Sequence, residues 1–400
     1  MYIPDKTILK RYADVVIKFA LNDCKGIKKG DTVYVRIPES AKPILEYIQR
    51  SIMEAGGNMI LDYLPDGIER EFYELADDDQ LIFYPKRYSK ALIQEVDHVV
   101  RVLSEFNPRE LDTINPHKLM QRQSKASGVF RNQMQDKEKK GKLTWNIFLY
   151  PTDAMALEAK MTIEEYWQEV IKSCFLNEED PIQKWKEITE IVEKQKEYLN
   201  NLNIEYLEIK GDQVDLKVKI GSNRSWQGGG GRNIPSFEIF TSPDNQEAEG
   251  YIKFSEPLYI YSNLVENVEL WFKDGKLIKA KASKGEELIK KMISTKGANR
   301  LGEISLTDKK LSRINKFMAE TLYDENAGGT YGNMHLALGQ SFFECLKGDY
   351  SKVSKKEFTK LGFNTSKVHT DIVTRLDRTV TAILKDNKRT VIYKDGEFQI

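Results

Sequence analysis

Two of the four histidines in this chain lie near its carboxyl end, in short runs whose composition suits metal binding. His335 lies in Gly-Asn-Met-His-Leu-Ala-Leu-Gly (332–339), and His369 precedes Asp371 by two residues in Val-His-Thr-Asp (368–371). Because side chains two positions apart on a strand project to the same side, His369 and Asp371 could bind one metal ion or two adjacent ions. Taken singly, a His-x-Asp pair is more often a surface hydrogen bond, and a histidine among apolar residues is more often part of the core. A metal site therefore needs further ligands.

Two glutamates in equally distinctive runs supply such ligands. Glu238 lies in Arg-Asn-Ile-Pro-Ser-Phe-Glu-Ile-Phe-Thr-Ser-Pro (232–243), and Glu303 lies in Arg-Leu-Gly-Glu-Ile-Ser-Leu (300–306). Burying an unpaired neutral polar group among apolar neighbours costs roughly 2–7 kcal/mol, and burying an unpaired carboxylate costs more. Taken alone, each glutamate would be interpreted as a residue on the solvent-exposed face of a strand. Together, two imidazoles and three carboxylates can hold a pair of divalent metals, which makes hydroxide at neutral pH and polarises a carbonyl. That chemistry predicts a hydrolase.

Composition limits the class of protein that must position these residues. A chain of 400 residues is too long for one ordinary core, so we expect two domains. Lys+Arg and Asp+Glu both number 61, and this balance lacks the basic excess of a nucleic-acid-binding protein. The three cysteines are far apart with no Cys-x-x-Cys, which argues against a thiolate zinc site and fits a reducing compartment. The first residues lack the apolar core of a secretion signal, and no run of about 20 apolar residues could span a bilayer. We therefore expect a cytoplasmic protein without a membrane or nucleic-acid partner.

The first half of the chain alternates between strand and helix patterns. Strands are predicted at 31–37, 58–62, 97–103 and 144–150, where β-branched and aromatic residues are concentrated. A helix is predicted at 41–55, where apolar residues recur at helical spacing before a Gly-Gly stop. Strands that alternate with helices imply an α/β domain with a parallel sheet.

The second half has a different pattern. Residues 214–220 alternate strictly between apolar and polar types, and residues 268–282 contain two strand patterns around Lys-Asp-Gly-Lys, a hairpin signal. A second strand pair is predicted at 379–393. A mostly antiparallel sheet with a few helices fits this α+β half.

The boundary between the halves follows a predicted long helix. This helix begins at Asp180-Pro181, an N-cap followed by proline at the first helical position, and its apolar residues continue to Leu199. We therefore predict an N-terminal α/β domain at 1–200 and a C-terminal α+β, metal-binding catalytic domain at 201–400.

The four runs, in their order and spacing, resemble the M29 family of thermophilic-type metalloaminopeptidases. The relevant patterns are Arg-Asn-Ile-Pro-Ser-x-Glu-Ile-Phe-Thr-Ser-Pro, Arg-Leu-Gly-Glu, Gly-x-x-His-Leu-Ala-Leu-Gly and Val-His-x-Asp. The first half is similar to the family too, at 148–152, 161–166 and 174–181. The resemblance therefore covers nearly the whole chain.

The resemblance implies a ligand set, a cofactor and a substrate. Its metal ligands would be Glu238, Glu303, His335, His369 and Asp371, and the cofactor would be two divalent ions per subunit, zinc or cobalt. Oxygen and imidazole ligands without thiolate also permit manganese or magnesium. The implied protein is a cytoplasmic homodimer whose sites open into an enclosed cavity and act on short peptides with a free N-terminus. We assign Glu303 as the catalytic bridging carboxylate, and Arg300 as a partner that orients a ligand carboxylate.

One residue departs from the family pattern. Members commonly carry a tyrosine seven residues after the histidine of His-Leu-Ala-Leu-Gly, and the residue at that position here is Phe342. A phenol could bind metal or stabilise an oxyanion, whereas phenylalanine does neither; losing one oxyanion donor costs about 2.7–4 kcal/mol in other enzymes. Either another group substitutes, with Tyr323 and Tyr331 as candidates, or the enzyme is weak.

Three functions are therefore compared. The leading hypothesis is a dinuclear metalloaminopeptidase that releases N-terminal residues from short peptides. The alternative is a catalytically weakened homologue that binds metal and serves as a peptide-binding or structural dimer, which Phe342 favours. A dinuclear hydrolase of another bond, such as a phosphoester, is less well supported because no basic clamp accompanies the motifs.

Overall fold

The chain divides into two compact units. The structure, a computed structural model, describes residues 2–260 and 263–400. One unit comprises Met1–Lys186 and Gly230–Pro235, and the other comprises Glu187–Gly229 and Ser236–Ile400. We call them the first and second units. The predicted domain boundary at residue 200 stays a prediction.

Strands alternate with helices in the first unit and predominate in the second. In chain order, the strands are β1 Thr32–Pro38, β2 Asn58–Leu64, β3 His98–Leu103, β4 Thr144–Leu149, β5 Ile204–Gly211, β6 Val214–Lys219, β7 Gln227–Gly228, β8 Asn233–Ile234, β9 Glu238–Thr241, β10 Ala248–Lys253, β11 Leu258–Ile260, β12 Asn263–Val265, β13 Glu269–Lys273, β14 Lys276–Lys281, β15 Leu301–Thr307, β16 Asn333–Gly339, β17 His369–Thr374, β18 Thr379–Leu384, β19 Arg389–Lys394 and β20 Glu397–Phe398.

The α-helices are concentrated in the first half of the chain. In chain order, they are α1 Lys6–Val15, α2 Leu21–Cys24, α3 Lys42–Glu54, α4 Glu69–Leu75, α5 Asp78–Ile82, α6 Lys86–Glu95, α7 Pro116–Arg122, α8 Gly128–Glu138, α9 Asp153–Glu158, α10 Ile163–Ser173, α11 Pro181–Asn201, α12 Glu286–Ile293, α13 Thr321–Asp324 and α14 Lys355–Lys360. No helix among residues 2–260 and 263–400 combines the length and the apolar character that crossing a bilayer requires.

A parallel sheet forms the centre of the first unit. Its strand order is β2-β1-β3-β4-β8, and all four neighbouring pairs are parallel. Val33, Tyr34 and Val35 are buried in succession on β1, as expected for a parallel strand that is covered on both faces. On α3, Ile44 and Ile48 are buried one helical turn apart, which shows how the apolar spacing of the sequence becomes a packed face.

The second unit is built from antiparallel sheets. An eight-stranded sheet has the order β14-β13-β10-β6-β5-β18-β19-β20, and a five-stranded sheet has the order β17-β16-β15-β9-β7. In the five-stranded sheet, every residue of β15 and of β16 is buried. These two strands nevertheless carry Glu303, Ser305 and His335, and buried polar groups of this kind require partners.

The structure confirms the predicted fold class, a parallel α/β part followed by a mostly antiparallel part. The helix predicted at 41–55 is α3, and the helix predicted after Pro181 is α11. The strand pairs predicted at 268–282 and 379–393 are the antiparallel pairs β13–β14 and β18–β19.

Candidate metal centre

The register of the five-stranded sheet brings four of the predicted ligands to one side. Directly opposed residues of antiparallel strands project to the same side, as do residues two apart on one strand. Glu303 lies opposite Ala337, which in turn lies opposite Asp371. His335 is two residues before Ala337, and His369 is two residues before Asp371. All four side chains therefore belong to the same face of the sheet.

Glu238 reaches that face from β9. It lies two residues before Phe240, which is opposite Ser305 on β15, and Ser305 is two residues from Glu303. The Ser305 hydroxyl donates a hydrogen bond of 3.2 Å to Glu238 Oε2. The structure thus brings together all five residues that the sequence singled out, which are spread over residues 238–371 of the chain.

The ligand-type atoms of the five side chains lie close together. His335 Nε2 is 3.4 Å from Glu238 Oε2 and 3.7 Å from Glu303 Oε1. His369 Nε2 is 3.1 Å from Glu303 Oε2 and 3.3 Å from Asp371 Oδ1. Two three-residue groups result, one of Glu238, Glu303 and His335 and the other of Glu303, His369 and Asp371. Within each group the ligand atoms all lie within 4.8 Å of one another, and Glu303 belongs to both groups.

The cluster is largely buried, with His369 as its most accessible member, and its groups are strongly coupled electrostatically. Burial, reinforced by the negative charges of Glu303 and Asp371 and opposed by His335, raises the pKa of Glu238 to about 7. Burial lowers the pKa of His335, but the hydrogen bond to Glu303 and the surrounding carboxylates outweigh it and raise that pKa to about 10. Burial raises the pKa of Asp371, but the positive charge of His369 outweighs it and lowers that pKa to about 2. Without a cation, these groups neutralise one another by sharing protons.

The orientation of His369 is fixed by a backbone oxygen. His369 Nδ1 lies 2.8 Å from the carbonyl oxygen of Gln340, which can only accept a hydrogen bond. The ring therefore carries a proton on Nδ1 and directs Nε2 at Glu303 and Asp371. This arrangement is typical of metal-binding histidines, whose second nitrogen is held by a carbonyl or a carboxylate.

Two buried atoms of the cluster have no hydrogen bond to any group of residues 2–260 and 263–400. They are His335 Nδ1 and Asp371 Oδ1, although the Asp371 oxygen makes ion-pair contacts with His369 Nε2 at 3.3 Å and with His335 Nε2 at 4.0 Å. Buried polar atoms are rarely left unpaired, so the Asp371 oxygen in particular has the character of a ligand atom directed at a cation. The donor set, its convergence and this oxygen together fit the binding of divalent metal.

Glu325 is a further buried carboxyl group, electrostatically coupled to the cluster, that the sequence reasoning missed. Its side chain is buried, and burial together with the charges of Glu238 and Asp371 raises its pKa well above the usual value for glutamate. The neighbouring residue Asn326 accepts a 2.7 Å hydrogen bond from the backbone N–H of Phe237, which directly precedes Glu238. The segment that carries Glu325 is therefore anchored beside the cluster.

Sequence signals for the missed residues differ in strength. Ser305 follows Glu303 by two positions, so the alternation of a strand could have placed it on the ligand face. Gln340 acts through its carbonyl oxygen, which no side-chain pattern reveals. Glu325 lies in a loop segment whose position depends on the Asn326 hydrogen bond, a contact across about 90 residues that a sequence pattern does not encode.

The other two predicted site residues lie at the margin of the cluster. The Arg300 guanidinium donates to the carbonyl oxygen of Asn245, and the predicted role of Arg300 toward a ligand carboxylate stays a prediction. The Phe342 ring lies 4.8 Å from the His369 ring, centroid to centroid, at an interplanar angle of 62°. The phenylalanine therefore contacts a candidate ligand directly, at the position where the family pattern has a tyrosine.

Comparisons with known proteins match nearly the whole length of the chain. The sequence model of the thermophilic metalloprotease family M29 matches residues 5–398. The chain is 26% identical to aminopeptidase AmpS of Bacillus subtilis over 413 residues, which cover 98% of each protein. It is 27% identical to aminopeptidase T of Thermus thermophilus over 417 residues, which cover 99% of each protein.

A solved structure supports the same assignment at the level of the fold. Wild-type AmpT from Thermus thermophilus superposes with a TM-score of 0.85 at 24% sequence identity. The superposition covers 99% of this chain and 100% of the AmpT chain.

Proposed function

This chain belongs to the M29 family of thermophilic metalloproteases, and from that premise we propose that it is a dinuclear metalloaminopeptidase that removes N-terminal residues from short peptides. The observation that carries the proposal is the membership of Glu303 in both three-residue ligand groups. One carboxylate with its two oxygens directed at two different histidines is the arrangement expected of a bridge between two metal ions. The names of the curated relatives, which are aminopeptidases, support the reaction.

In this proposal the five side chains would hold two ions. Glu238 and His335 would serve one site, His369 and Asp371 would serve the other, and Glu303 would be common to both. A bound pair of divalent ions would polarise the scissile carbonyl and lower the pKa of a water molecule. Ligands that are only oxygen and imidazole suit zinc or cobalt, and also manganese or magnesium.

We propose that the free α-amino group restricts cleavage to the N-terminal residue. This group would bind one of the metal ions or a carboxylate of the cluster, which would place the first peptide bond beside the ions. A peptide whose amino group is acetylated cannot make that contact.

Glu325 is the candidate that we propose for proton transfer. Burial raises the pKa of this carboxyl well above the usual value for glutamate, which favours the protonated form that a general acid needs to deliver a proton to the leaving amine. Glu303, Glu238 and Asp371 are less suited to this role because metal ions would occupy their oxygens. We further propose that the protein is a cytoplasmic homodimer, as the family resemblance implies.

The test is release of amino acids from short unblocked peptides by the purified chain loaded with zinc, cobalt or manganese. We expect release from unblocked peptides, no release from their N-acetylated counterparts, and loss of activity on chelation. Glu303→Ala should abolish release, while Glu287→Ala, a change of an exposed glutamate on α12, should not. Absence of turnover from the folded, metal-loaded chain would contradict the proposal and favour the catalytically weakened homologue.

A further inference from the structure

Two partly buried phenylalanines form an apolar wall beside the candidate metal ligands. Phe240 lies on β9 two residues after Glu238, on the ligand-bearing face of the sheet. Its ring contacts the Phe342 ring at a centroid distance of 5.2 Å, and the Phe342 ring contacts the His369 ring at 4.8 Å. The wall is therefore continuous with a ligand side chain of the proposed site.

A buried aromatic cluster supports this wall from behind. Cys345, Phe358 and Phe363 are almost completely buried, and Phe240 and Phe342 pack against them. Phe343 stacks on Phe358 with ring centroids 4.0 Å apart. Close packing of this kind leaves little room for the wall to move when a ligand arrives.

The backbone of Phe342 is tied to the strand that carries Glu303. The Phe342 N–H donates a 2.8 Å hydrogen bond to the hydroxyl oxygen of Ser242. That hydroxyl donates a 2.7 Å hydrogen bond to the carbonyl oxygen of Gly302, the residue before Glu303. The position of the wall relative to the proposed bridging ligand is thus fixed by two short hydrogen bonds.

Solvent reaches the cluster at the end where the wall lies. Side-chain exposure is 2% for His335 and 4% for Glu303, but it is 26% for His369. A substrate must approach the ligands from the accessible end, so it meets His369 and the Phe342 ring that packs on it. Since Phe342 has no hydroxyl group, this ring presents only hydrocarbon.

We propose that Phe240 and Phe342 form the pocket for the side chain of the substrate's N-terminal residue, and that the pocket selects large apolar residues. The inference rests on the proposed aminopeptidase function and specifies its substrate class. A large apolar side chain of the substrate would gain affinity from the apolar area that it buries against the two rings. A charged side chain would lose hydration there without gaining a partner. In an apolar pocket, one additional or missing methylene group of the substrate changes kcat/KM by about 10–200-fold.

The experiment compares kcat/KM for dipeptides that differ only in their N-terminal residue, which is Phe, Leu, Ala, Arg or Glu. We expect Phe and Leu to exceed Ala, Arg and Glu by at least about tenfold. Phe342→Ala and Phe240→Ala should each reduce the Phe-to-Ala ratio by about tenfold or more. Because both rates are measured in one preparation, a loss of metal or of folded protein lowers them equally and leaves the ratio unaffected.

Ile278→Ala provides the matched control, since this exposed apolar residue lies on β14 of the eight-stranded sheet. Its Phe-to-Ala ratio should equal that of the parent. Equal cleavage of all five peptides by the parent, or an unchanged ratio in both phenylalanine variants, would overturn the inference while leaving the aminopeptidase function intact.

A binding measurement decides the inference even without turnover. If no peptide is cleaved, the proposed function fails, and the Kd values of phenylalanine hydroxamate and alanine hydroxamate for the metal-loaded chain then become the test. Tighter binding of the phenylalanine compound by about tenfold, lost in Phe342→Ala, would support the pocket. Equal Kd values would overturn it.

Discussion

At the scale of single residues, the proposed centre depends on how its histidines are held. His335 is buried within β16 and lies within 4.0 Å of three carboxylates, whereas His369 is at the start of β17 and is oriented by the Gln340 carbonyl oxygen. The more accessible histidine can be changed with less damage to the core. His369 is therefore the better residue for testing the ligand set.

We predict that His369→Ala lowers metal content and activity together. Removing a partner of a metal ligand typically costs about 10–100-fold in metal affinity or activity, and removing the ligand itself should cost more. Chelator should lower the melting temperature of the parent, because ions that bind only the folded state stabilise it, and the variant should respond less. Metal analysis, initial rates and thermal melts provide the measurements. A variant with two tightly bound ions and full turnover would exclude His369 from the site.

A second residue-scale prediction concerns Glu325. Glu325→Gln preserves the size of the side chain but removes the proton, so kcat should fall by about 100–10,000-fold while metal content stays at the parent level. Glu287→Gln on the surface of α12 should change neither quantity. If Glu325→Gln retains the parental kcat, this carboxyl group does not carry the proton; if it loses metal instead, Glu325 contributes to the structure of the centre.

At the scale of elements, strand pairing accounts for most of what the sequence could predict. The His369–Asp371 spacing correctly indicated two side chains on one side of a strand, since that property depends only on the pleat. Glu238 and Glu303 had ordinary surface interpretations when taken alone, but both are buried on β9 and β15, two interior strands of the five-stranded sheet. Convergence of the four segments depends on the order and register of β9, β15, β16 and β17, which local patterns do not specify. The family resemblance, and not periodicity, linked these segments.

The contact between β16 and β17 gives an element-scale prediction at Gly339. This residue has a φ of +113° and pairs with His369, and a Cβ there would lie 2.0 Å from the Val368 carbonyl oxygen. Gly339→Ala should therefore displace the start of β17, lower the free energy of unfolding by about 2–4 kcal/mol and reduce metal content.

Gly348 allows a matched comparison. Its φ is +90°, but a Cβ would have no atom within 4 Å, so Gly348→Ala should lose only the cost of the left-handed backbone, about 1–2 kcal/mol, and should keep its metal. Denaturant unfolding and metal analysis of both variants provide the test. Equal metal content in the two variants would show that the backbone contact at Gly339 does not position the site.

At the scale of the whole molecule, the centre is a concentration of buried charge within a chain whose formal net charge is zero. Each uncompensated buried charge costs roughly several kcal/mol. The charged side chains of the cluster must therefore be neutralised, either by bound protons or by metal cations. The raised pKa values of His335 and of Glu238 describe the first of these states. Metal binding must therefore release protons.

This linkage predicts how metal affinity depends on pH. The pKa of His335 is raised to about 10, and that of His369 is raised well above its usual value because Asp371 and Glu303 outweigh the effect of burial. His335 therefore holds a proton near neutral pH in the metal-free protein, and the raised pKa of His369 acts in the same direction, so bound ions compete with protons and metal affinity falls as the pH falls. Between about pH 8 and pH 6, displacement of one proton alone weakens binding by about 100-fold. Calorimetry in two buffers of different ionisation enthalpy measures the release, and a pH-independent Kd would contradict the linkage.

The most direct test of the proposed dinuclear centre is a crystallographic anomalous-scattering map of the zinc-loaded chain. We predict two peaks, roughly 3.5–4 Å apart, with Glu303 contacting both, Glu238 and His335 contacting one, and His369 and Asp371 contacting the other. A map with no peak within reach of these five side chains, or with Glu303 directed away from every peak, would contradict the account.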